Sequence, residues 1–258
     1  MAARRALILH PTDLVYRYDG GLAGLYSCVY DGVYGHEMPL DILSDREEMP
    51  LLLPTHEVVT DREHAERVRR AVREKISPRA QELAETVFLS CLPRRELHIL
   101  RFLLLGFEMG ARVTNLLTHP DVMPLLQAER HLYNEAHLLS GFLRFSDYQG
   151  MLVATMRPKN FVLPLLAQHF IDRMPSERFL IYDRTHGAAL SFAEGRAEVV
   201  EIEGFEPPEA DETEALYRAL FRRFYDTIAI KARVNHKLRM NHMPKRYWSE
   251  MTEMSDKQ

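Results

Sequence analysis

The feature that most constrains the fold is a change in hydrophobic periodicity near residue 142. Before this point, apolar residues such as Leu97, Leu100 and Leu104 recur at helical spacing. After it, the segments 143–156 and 178–204 alternate between apolar and polar residues, which is typical of half-buried strands. Since helical and strand patterns occupy separate regions, we expect an α+β fold.

The first region, residues 1–142, is predicted to begin with one strand and one helix. Val15–Tyr18 is rich in strand-forming residues, and the apolar segment 22–34 has the character of a helix. Asp19 is the expected N-cap of that helix. The intervening turn contains glycines but lacks the spacing of a phosphate-binding loop, so we interpret it as a turn and a cap.

Helices are predicted for most of the remaining first region, after a loop with one short strand near Val58. Asp61 is expected to cap a helix whose charges of both signs indicate a solvated face. Because proline fits the first turn of a helix, further helices are predicted to begin at three prolines. These are Pro78, Pro93 and Pro120, and the last of the three helices runs to about Phe142.

The second region, residues 143–258, is predicted to contain a β-hairpin, a helix, and a second hairpin with a further strand. The helix is expected over 161–174 and is ended by Pro175. We expect one antiparallel sheet with packed helices, joined to the helical middle region in one integrated domain.

A long C-terminal helix is predicted to start near Asp211. Its leucine and aromatic side chains form two adjacent rows at i,i+4 spacing, which predicts a wide buried face. The rows are Leu216, Leu220 and Phe224, and Tyr217, Phe221 and Tyr225.

Charge and cysteine content limit the functional classes. The 258 residues include 33 Lys and Arg and 37 Asp and Glu, and the net charge of -4 argues against a wholly basic nucleic-acid protein. Cys28 and Cys91 form no CxxC pair, so we interpret both as buried thiols in the cytoplasm. We recognise no secretory signal, and the apolar stretch 98–111 is too short to span a membrane.

The clearest electrostatic signal lies between Asp226 and Glu250, where basic residues occur without a carboxylate. Lys and Arg neutralise phosphates, while Tyr247 and Trp248 offer rings on which bases stack, so this tail is a candidate nucleic-acid-binding segment. Alternatively, the basic residues complement a helix dipole, and the two aromatic residues dock the tail onto the core. The basic residues are Lys231, Arg233, Lys237, Arg239, Lys245 and Arg246.

Four side chains are candidates for acid–base chemistry: Glu135, His137, His169 and Asp183. Histidine titrates near neutrality, and a carboxylate can orient it. The alternatives are a structural histidine beside the sheet and ordinary turn chemistry in the segment 183–187.

No complete GxSxG, HExxH or CxxC…CxxC motif is present, so the sequence leaves open whether the protein is an enzyme. We expect no metal and no cofactor, because the single pair His131 and Glu135 supplies too few ligands for a zinc site. Gly141 lies on one helical face with His137 and Arg144, and a glycine inside a helix usually serves close packing.

Several segments together resemble a bacterial domain family of unknown function, and the resemblance runs nearly end to end. Its members carry the description "probable DNA metabolism protein". They are companions of radical-SAM proteins of DNA modification or repair, and some are fused to uracil-DNA glycosylase-like domains. The segments are Glu135-Ala-His137, Gly141-Phe142-Leu143-Arg144-Phe145, 163–173, Leu180-Ile181-Tyr182-Asp183 and Met243-Pro244-Lys245-Arg246-Tyr247-Trp248.

The resemblance implies a DNA-associated accessory protein that binds nucleic acid and supports a partner enzyme, a radical-SAM protein. Arg144, Arg157 and Lys159 join the basic tail, with Tyr247 and Trp248, as expected nucleic-acid contacts. The chain departs from the family pattern at Gln168, where a proline is expected, and at Met156-Arg157-Pro158-Lys159, which is more basic than usual. Two other functions stay open, namely an enzyme acting on nucleic acid and a protein–protein adaptor that docks through the helical middle region.

Overall fold

The computed structural model describes residues 9–47, 52–228 and 235–254, and it confirms the α+β class. The chain divides into two compact units, Met1–Leu132 and Tyr133–Gln258. Within the described ranges, no helix combines the length and apolar character that crossing a membrane requires.

The first unit contains short parallel strands and the predicted helical middle region. The elements are β1 (His10–Pro11), β2 (Val15–Tyr18), α1 (Leu22–Gly35), β3 (Glu37–Met38), β4 (Asp41–Ser44), β5 (Thr55–Glu57), α2 (Arg62–Ala71), α3 (Pro78–Phe88), α4 (Arg95–Met109) and the first part of α5 (Met123–Phe142). β2 is the central strand of a three-stranded parallel sheet in the order β4-β2-β5, and β1 pairs with β3, also in parallel.

Two of the predicted helix starts in this unit rest on side-chain caps. The Asp61 carboxylate accepts hydrogen bonds from the backbone N–H groups of Glu63 and His64 at the start of α2. The Ser77 hydroxyl accepts from the backbone N–H of Ala80, and Pro78 occupies the first turn of α3. Both helix starts are therefore confirmed.

The predicted cap of α1 is wrong. The residue at the N-cap position is Gly21, and no side chain caps the helix. Asp19 precedes that position, and its carboxylate accepts from the Gly21 N–H at 2.8 Å and from the Thr60 hydroxyl at 2.7 Å. A β-carbon at Gly24 would lie only 2.3 Å from this carboxylate, so the glycine allows the close approach.

The prediction of two buried thiols holds for Cys28 alone. Cys28 lies on the buried face of α1 in the core of the first unit, and its burial raises the pKa of its thiol. Cys91 is exposed because it lies in the connection between α3 and α4.

The elements of the second unit are the rest of α5, β6 (Ser146–Tyr148), β7 (Met151–Met156), α6 (Leu163–Arg173), β8 (Arg178–Asp183), β9 (Ala188–Ala193), β10 (Arg196–Glu201), α7 (Glu212–Ile228) and α8 (His236–His242). Its five strands form one sheet in the order β10-β9-β8-β7-β6. A 3-10 segment, Lys245–Glu250, follows α8.

The sheet is mixed, so the prediction of an antiparallel sheet is wrong. β7 and β8 pair in parallel, while the other neighbouring strands are antiparallel. The reason is the crossover through α6, which returns the chain to the same end of the sheet before β8 begins. α6 packs on the sheet through Leu163, Leu166 and Phe170, as predicted.

The long C-terminal helix is present as α7, but its predicted buried face is wrong. Glu214, which is 9% exposed, is the one buried residue of this helix, and the Glu214 carboxylate accepts from Arg218. Tyr225 is partly buried, but the other five apolar residues of the predicted face are 40–64% exposed. They are Leu216, Tyr217, Leu220, Phe221 and Phe224, joined by Ile228 at the end of the helix.

Gly141 does not serve close packing, because a β-carbon built on it meets no atom within 4 Å. We therefore expect Gly141→Ala to raise the free energy of unfolding by about 0.5–1 kcal/mol, since alanine restricts the unfolded chain more. Urea denaturation followed by far-ultraviolet circular dichroism measures this change.

The contrasting variant is Gly106→Ala in α4. There a β-carbon would lie 2.7 Å from Cδ1 of the buried Ile76. We therefore expect the substitution to lower the free energy of unfolding by about 1–3 kcal/mol. Equal effects of the two substitutions would contradict the packing described for both glycines.

Candidate functional site

Glu135 lies on the buried side of α5 and is 3% exposed. Its carboxylate accepts hydrogen bonds from the loop between β7 and α6. The donors are the backbone N–H of Lys159 at 3.1 Å, the backbone N–H of Asn160 at 2.8 Å and the Asn160 side-chain amide at 2.6 Å. A buried carboxylate thus fixes the start of this loop.

The same carboxylate also holds the C-terminal segment. Arg246 donates to it at 2.9 Å, and the Tyr247 hydroxyl donates to it at 2.9 Å. The Arg246 guanidinium lies 4.6 Å from the centre of the Tyr247 ring and also donates to the Tyr247 hydroxyl. Glu135 therefore joins two segments that lie far apart in the sequence.

The donors around Glu135 keep it ionised. Burial by itself would raise the pKa of this carboxyl, but the hydrogen bonds from Asn160, Lys159 and Tyr247 lower it below its ordinary value. A carboxylate that is saturated with donors and has a lowered pKa is a poor proton acceptor. The arrangement suits a structural anchor better than a general base.

Tyr247 and Trp248 occupy the core of the second unit. They are 2% and 7% exposed, and the Trp248 indole N–H donates to the Met243 carbonyl at 3.0 Å. Burial, the largest cause, raises the pKa of Tyr247 to about 12. Their rings are not open to bases in this conformation, so the structure matches the alternative in which they dock the tail.

Glu250 is a second carboxylate that lies close to arginine side chains, which follow strands of the sheet. It accepts from the Thr155 hydroxyl and, at 3.0 Å, from Nε of Arg157. Arg184 lies 3.9 Å away and forms a two-pronged pair with Glu206 at 2.9 and 3.1 Å. Glu206 lies in the connection between β10 and α7, so this connection pairs with the turn that follows β8.

Arg144 forms the third link to the C-terminal segment. Its guanidinium donates to both carboxylate oxygens of the buried Glu253, at 3.1 and 2.6 Å. It also donates to the Gly141 carbonyl at 2.9 Å. These bonds engage much of the guanidinium within the chain, so its predicted contact with nucleic acid would have to compete with them.

Four cations lie on the solvent side of these carboxylates, and we call them the cationic rim: Arg157, Lys159, Lys245 and Arg246. Arg157 is 58% exposed and Arg246 is 39% exposed. Both lysines are exposed, and within the described ranges neither forms an ion pair. The ammonium of Lys245 lies 5.6 Å from the centre of the Trp248 ring.

The remaining basic residues of the prediction lie elsewhere. Lys237 is exposed and Arg239 is partly exposed on α8. Lys231 and Arg233 lie outside the described residues, so their predicted role stays a prediction.

The four acid–base candidates do not form one cluster. All four lie in the described part of the chain, and no hydrogen bond or ion pair joins any two of them. His137 and His169 are exposed on α5 and α6. The four side chains therefore do not form a shared catalytic arrangement, and their catalytic role stays a prediction.

Asp183 instead organises its own turn. It is fully buried and accepts from the backbone N–H groups of Thr185 and His186, at 2.9 and 3.2 Å. The His186 ring nitrogen Nδ1 lies 2.6 Å from the same carboxylate, and the ring contacts Phe161 edge-on. This is the turn chemistry that the sequence left open, with Gly187 at positive φ.

Sequence reasoning missed Asn160, Glu250 and Glu253. No local motif marks them, because each acts on a residue more than twenty positions away in the chain. A usable signal lies in the tail, where two carboxylates reappear directly after a basic segment that needs partners.

Loss of the Glu135 carboxylate is expected to destabilise the protein. At pH 7, Glu135→Gln should lower the free energy of unfolding by about 3 kcal/mol, because it removes the buried charge that pairs with Arg246. The amide nitrogen of glutamine also cannot accept hydrogen bonds from the surrounding N–H donors. The measurement is urea denaturation of the native protein and the variant at pH 7.

The loss should depend on pH in a defined direction. Because the pKa of Glu135 is lowered in the folded state, its ionised form stabilises the fold above about 4.5 and this contribution is lost as the pH falls through the folded pKa. The difference between native and Glu135→Gln should therefore shrink in acid. Glu198→Gln, at an exposed position of β10, is the matched control and should change little. A Glu135→Gln variant as stable as the native protein would exclude the anchor role.

Comparison with known proteins gives one family. The sequence profile of a family described as a domain of unknown function, DUF4130, matches residues 93–253. The match covers more than half of the chain and includes Glu135, the β7–α6 loop and the docked C-terminal segment. No curated protein matches the chain.

Proposed function

The chain belongs to the DUF4130 family, a domain family of unknown function, and we propose a function from its own side chains. The protein is a cytoplasmic accessory protein of DNA metabolism that binds nucleic acid and supports a partner enzyme. The observation that carries the proposal is the cationic rim. The bacterial family that the sequence resembles points in the same direction.

The rim supports the proposal because it is assembled from two distant segments. Arg157 and Lys159 come from the loop after β7, and Lys245 and Arg246 come from the 3-10 segment. Glu135 binds both segments, so the four cations share one surface. A surface of fixed cations can track a phosphate backbone and release its counterions.

The charge balance of the rim leaves a surplus for a ligand. Arg157 pairs with Glu250 and Arg246 pairs with Glu135, whereas the two lysines carry no ion pair within the described ranges. Since Tyr247 and Trp248 are buried, backbone contact accounts for binding better than base stacking. We therefore expect affinity that depends strongly on salt and weakly on sequence.

The proposal is tested by fluorescence anisotropy with labelled single- and double-stranded DNA across a salt series. The double variant Lys159→Glu, Lys245→Glu should weaken binding roughly tenfold or more. It should also reduce the slope of log affinity against log salt by about 2, because two fewer phosphates would be neutralised. Both lysines are exposed, so the fold should persist.

The matched control is Arg112→Glu with Arg130→Glu, which changes the net charge equally at exposed positions of the first unit. It should leave the salt slope nearly unchanged. Equal losses of affinity in the two double variants would mean that only the net charge matters, which would contradict binding at the rim. Absence of binding by the native protein at low salt would refute the proposal.

A second candidate function, a protein–protein adaptor, is favoured by the exposed apolar face of α7. Side chains at Leu216, Leu220 and Phe224 form one row, and Tyr217 and Phe221 form the next. A contiguous apolar face of this kind on a folded chain marks an interaction surface. We therefore assign the docking surface of this hypothesis to the C-terminal helix instead of the helical middle region.

The occupant that we propose for this face is an apolar helix of the partner enzyme. α7 borders a groove that also contains Phe145, Arg144 and Thr252, and such grooves accept amphipathic helices through anchors at i and i+4. The resemblance suggests a radical-SAM protein as the partner. Its iron–sulfur cluster would belong to the partner, because two isolated cysteines cannot ligate one.

The adaptor role is tested by calorimetric titration with the purified radical-SAM partner. Leu220→Glu with Phe224→Glu should abolish measurable binding, because charges would enter an apolar interface. Val199→Glu with Val200→Glu places the same charges on exposed apolar positions of β10 and should bind like the native protein. No complex with the native protein would contradict the adaptor role.

A further inference from the structure

The first unit contains a pocket of about 520 Å³ that none of the roles above uses. It lies between α1 and α2, with Phe107 of α4 also in its wall. Ligand sites for small molecules have volumes of roughly 300–1,000 Å³ and combine apolar walls with a few placed polar groups. This pocket has both properties.

Its aromatic wall is a stack of rings. Tyr30 and Tyr34 stack with their centres 4.2 Å apart, and the His64 ring stacks on Tyr30 with a centre-to-centre distance of 3.8 Å and an interplanar angle of 8°. Tyr34 is 54% exposed. Tyr34 and His64 stack on Tyr30, so a flat ring that enters from solvent can extend the stack at Tyr34. Base–aromatic stacking is worth about 1–3 kcal/mol per base.

The pocket also contains charged groups beside its aromatic rings. The Arg67 guanidinium lies 5.3 Å from the centre of the Tyr34 ring and 5.9 Å from that of Tyr30. Lys75 and Glu108 also line the pocket. Cations beside aromatic rings fit an anionic group on an aromatic ligand, while a carboxylate fits amino or hydroxyl donors.

The floor is apolar. Val29 and Val68 are buried, and Val33 and Ala71 are partly buried around the same space. An apolar floor excludes water from beneath a flat ligand and favours a ring over a simple anion. A ligand that satisfies every wall therefore has an aromatic ring, hydrogen-bond donors and a negative charge.

We propose that this pocket binds a free nucleoside monophosphate, with the base on the exposed ring of Tyr34 and the phosphate at Arg67. The base and sugar supply donors for Glu108. The site is separate from the cationic rim, because all of its residues belong to the first unit. It gives the protein a small-molecule ligand in addition to the proposed nucleic acid.

The experiment is isothermal titration calorimetry with adenosine monophosphate as the probe, and with adenosine and inorganic phosphate as comparison ligands. Adenosine monophosphate should bind, adenosine should bind roughly tenfold more weakly, and inorganic phosphate should not bind measurably. Absence of saturation by adenosine monophosphate, or equal affinity for adenosine, would overturn the proposal.

Two variants locate the site. Arg67→Gln should weaken adenosine monophosphate binding roughly tenfold and affect adenosine little, whereas Tyr34→Leu should weaken both ligands. Both positions are exposed, so the variants should fold. Arg70→Gln and Tyr133→Leu make the same chemical changes at exposed positions outside the pocket and should bind like the native protein. Native affinity in Arg67→Gln and Tyr34→Leu would overturn the proposal.

A short single-stranded oligonucleotide distinguishes a free nucleotide from one held in a strand. Oligonucleotide binding that is abolished in Arg67→Gln, without any binding of adenosine monophosphate, would overturn the proposal in favour of a strand. The variant Lys159→Glu, Lys245→Glu should keep native affinity for adenosine monophosphate. This result separates the pocket from the rim, so either proposal can fail without the other.

Discussion

A buried carboxylate is costly unless donors surround it, and Glu135 meets this requirement by drawing together two segments of the second unit. The loop after β7 supplies Lys159 and Asn160, and the C-terminal segment supplies Arg246 and Tyr247. Arg157 of the same loop also donates to Glu250 of the C-terminal segment, so this pair adds a second link between the two. The cationic rim exists because the same segments that bury their polar groups on Glu135 keep their other cations in water.

The C-terminal segment shows how one stretch of sequence can have two opposite faces. Tyr247 and Trp248 are buried, while Glu250 and Glu253 pair with cations of the sheet and of the segment after α5. The basic character that is conspicuous in the sequence is therefore partly neutralised within the chain. What remains for a ligand is a smaller set of cations, led by the two lysines, and this set defines the proposed nucleic-acid surface.

Exposed apolar surface is the second property that bears on the proposed functions. On α7 it forms a continuous face, whereas in the first unit it forms a ring-lined pocket with Arg67 at its edge. A face fits another macromolecule, and a pocket fits a small ligand, because the area that each can bury differs in extent and curvature. The two features therefore support different partners.

The sequence by itself determined the local elements: the strand at Val15–Tyr18, the cap at Asp61, the helix start at Pro78, and the helices with their approximate ends. These depend on residues within a few positions of one another, so periodicity and capping chemistry suffice. Tertiary structure alone decided the parallel pairing of β7 with β8, the exposure of α7 and the burial of Tyr247. It also decided that Asn160, Glu250 and Glu253 act as partners, because burial and pairing depend on residues that only the folded chain brings together.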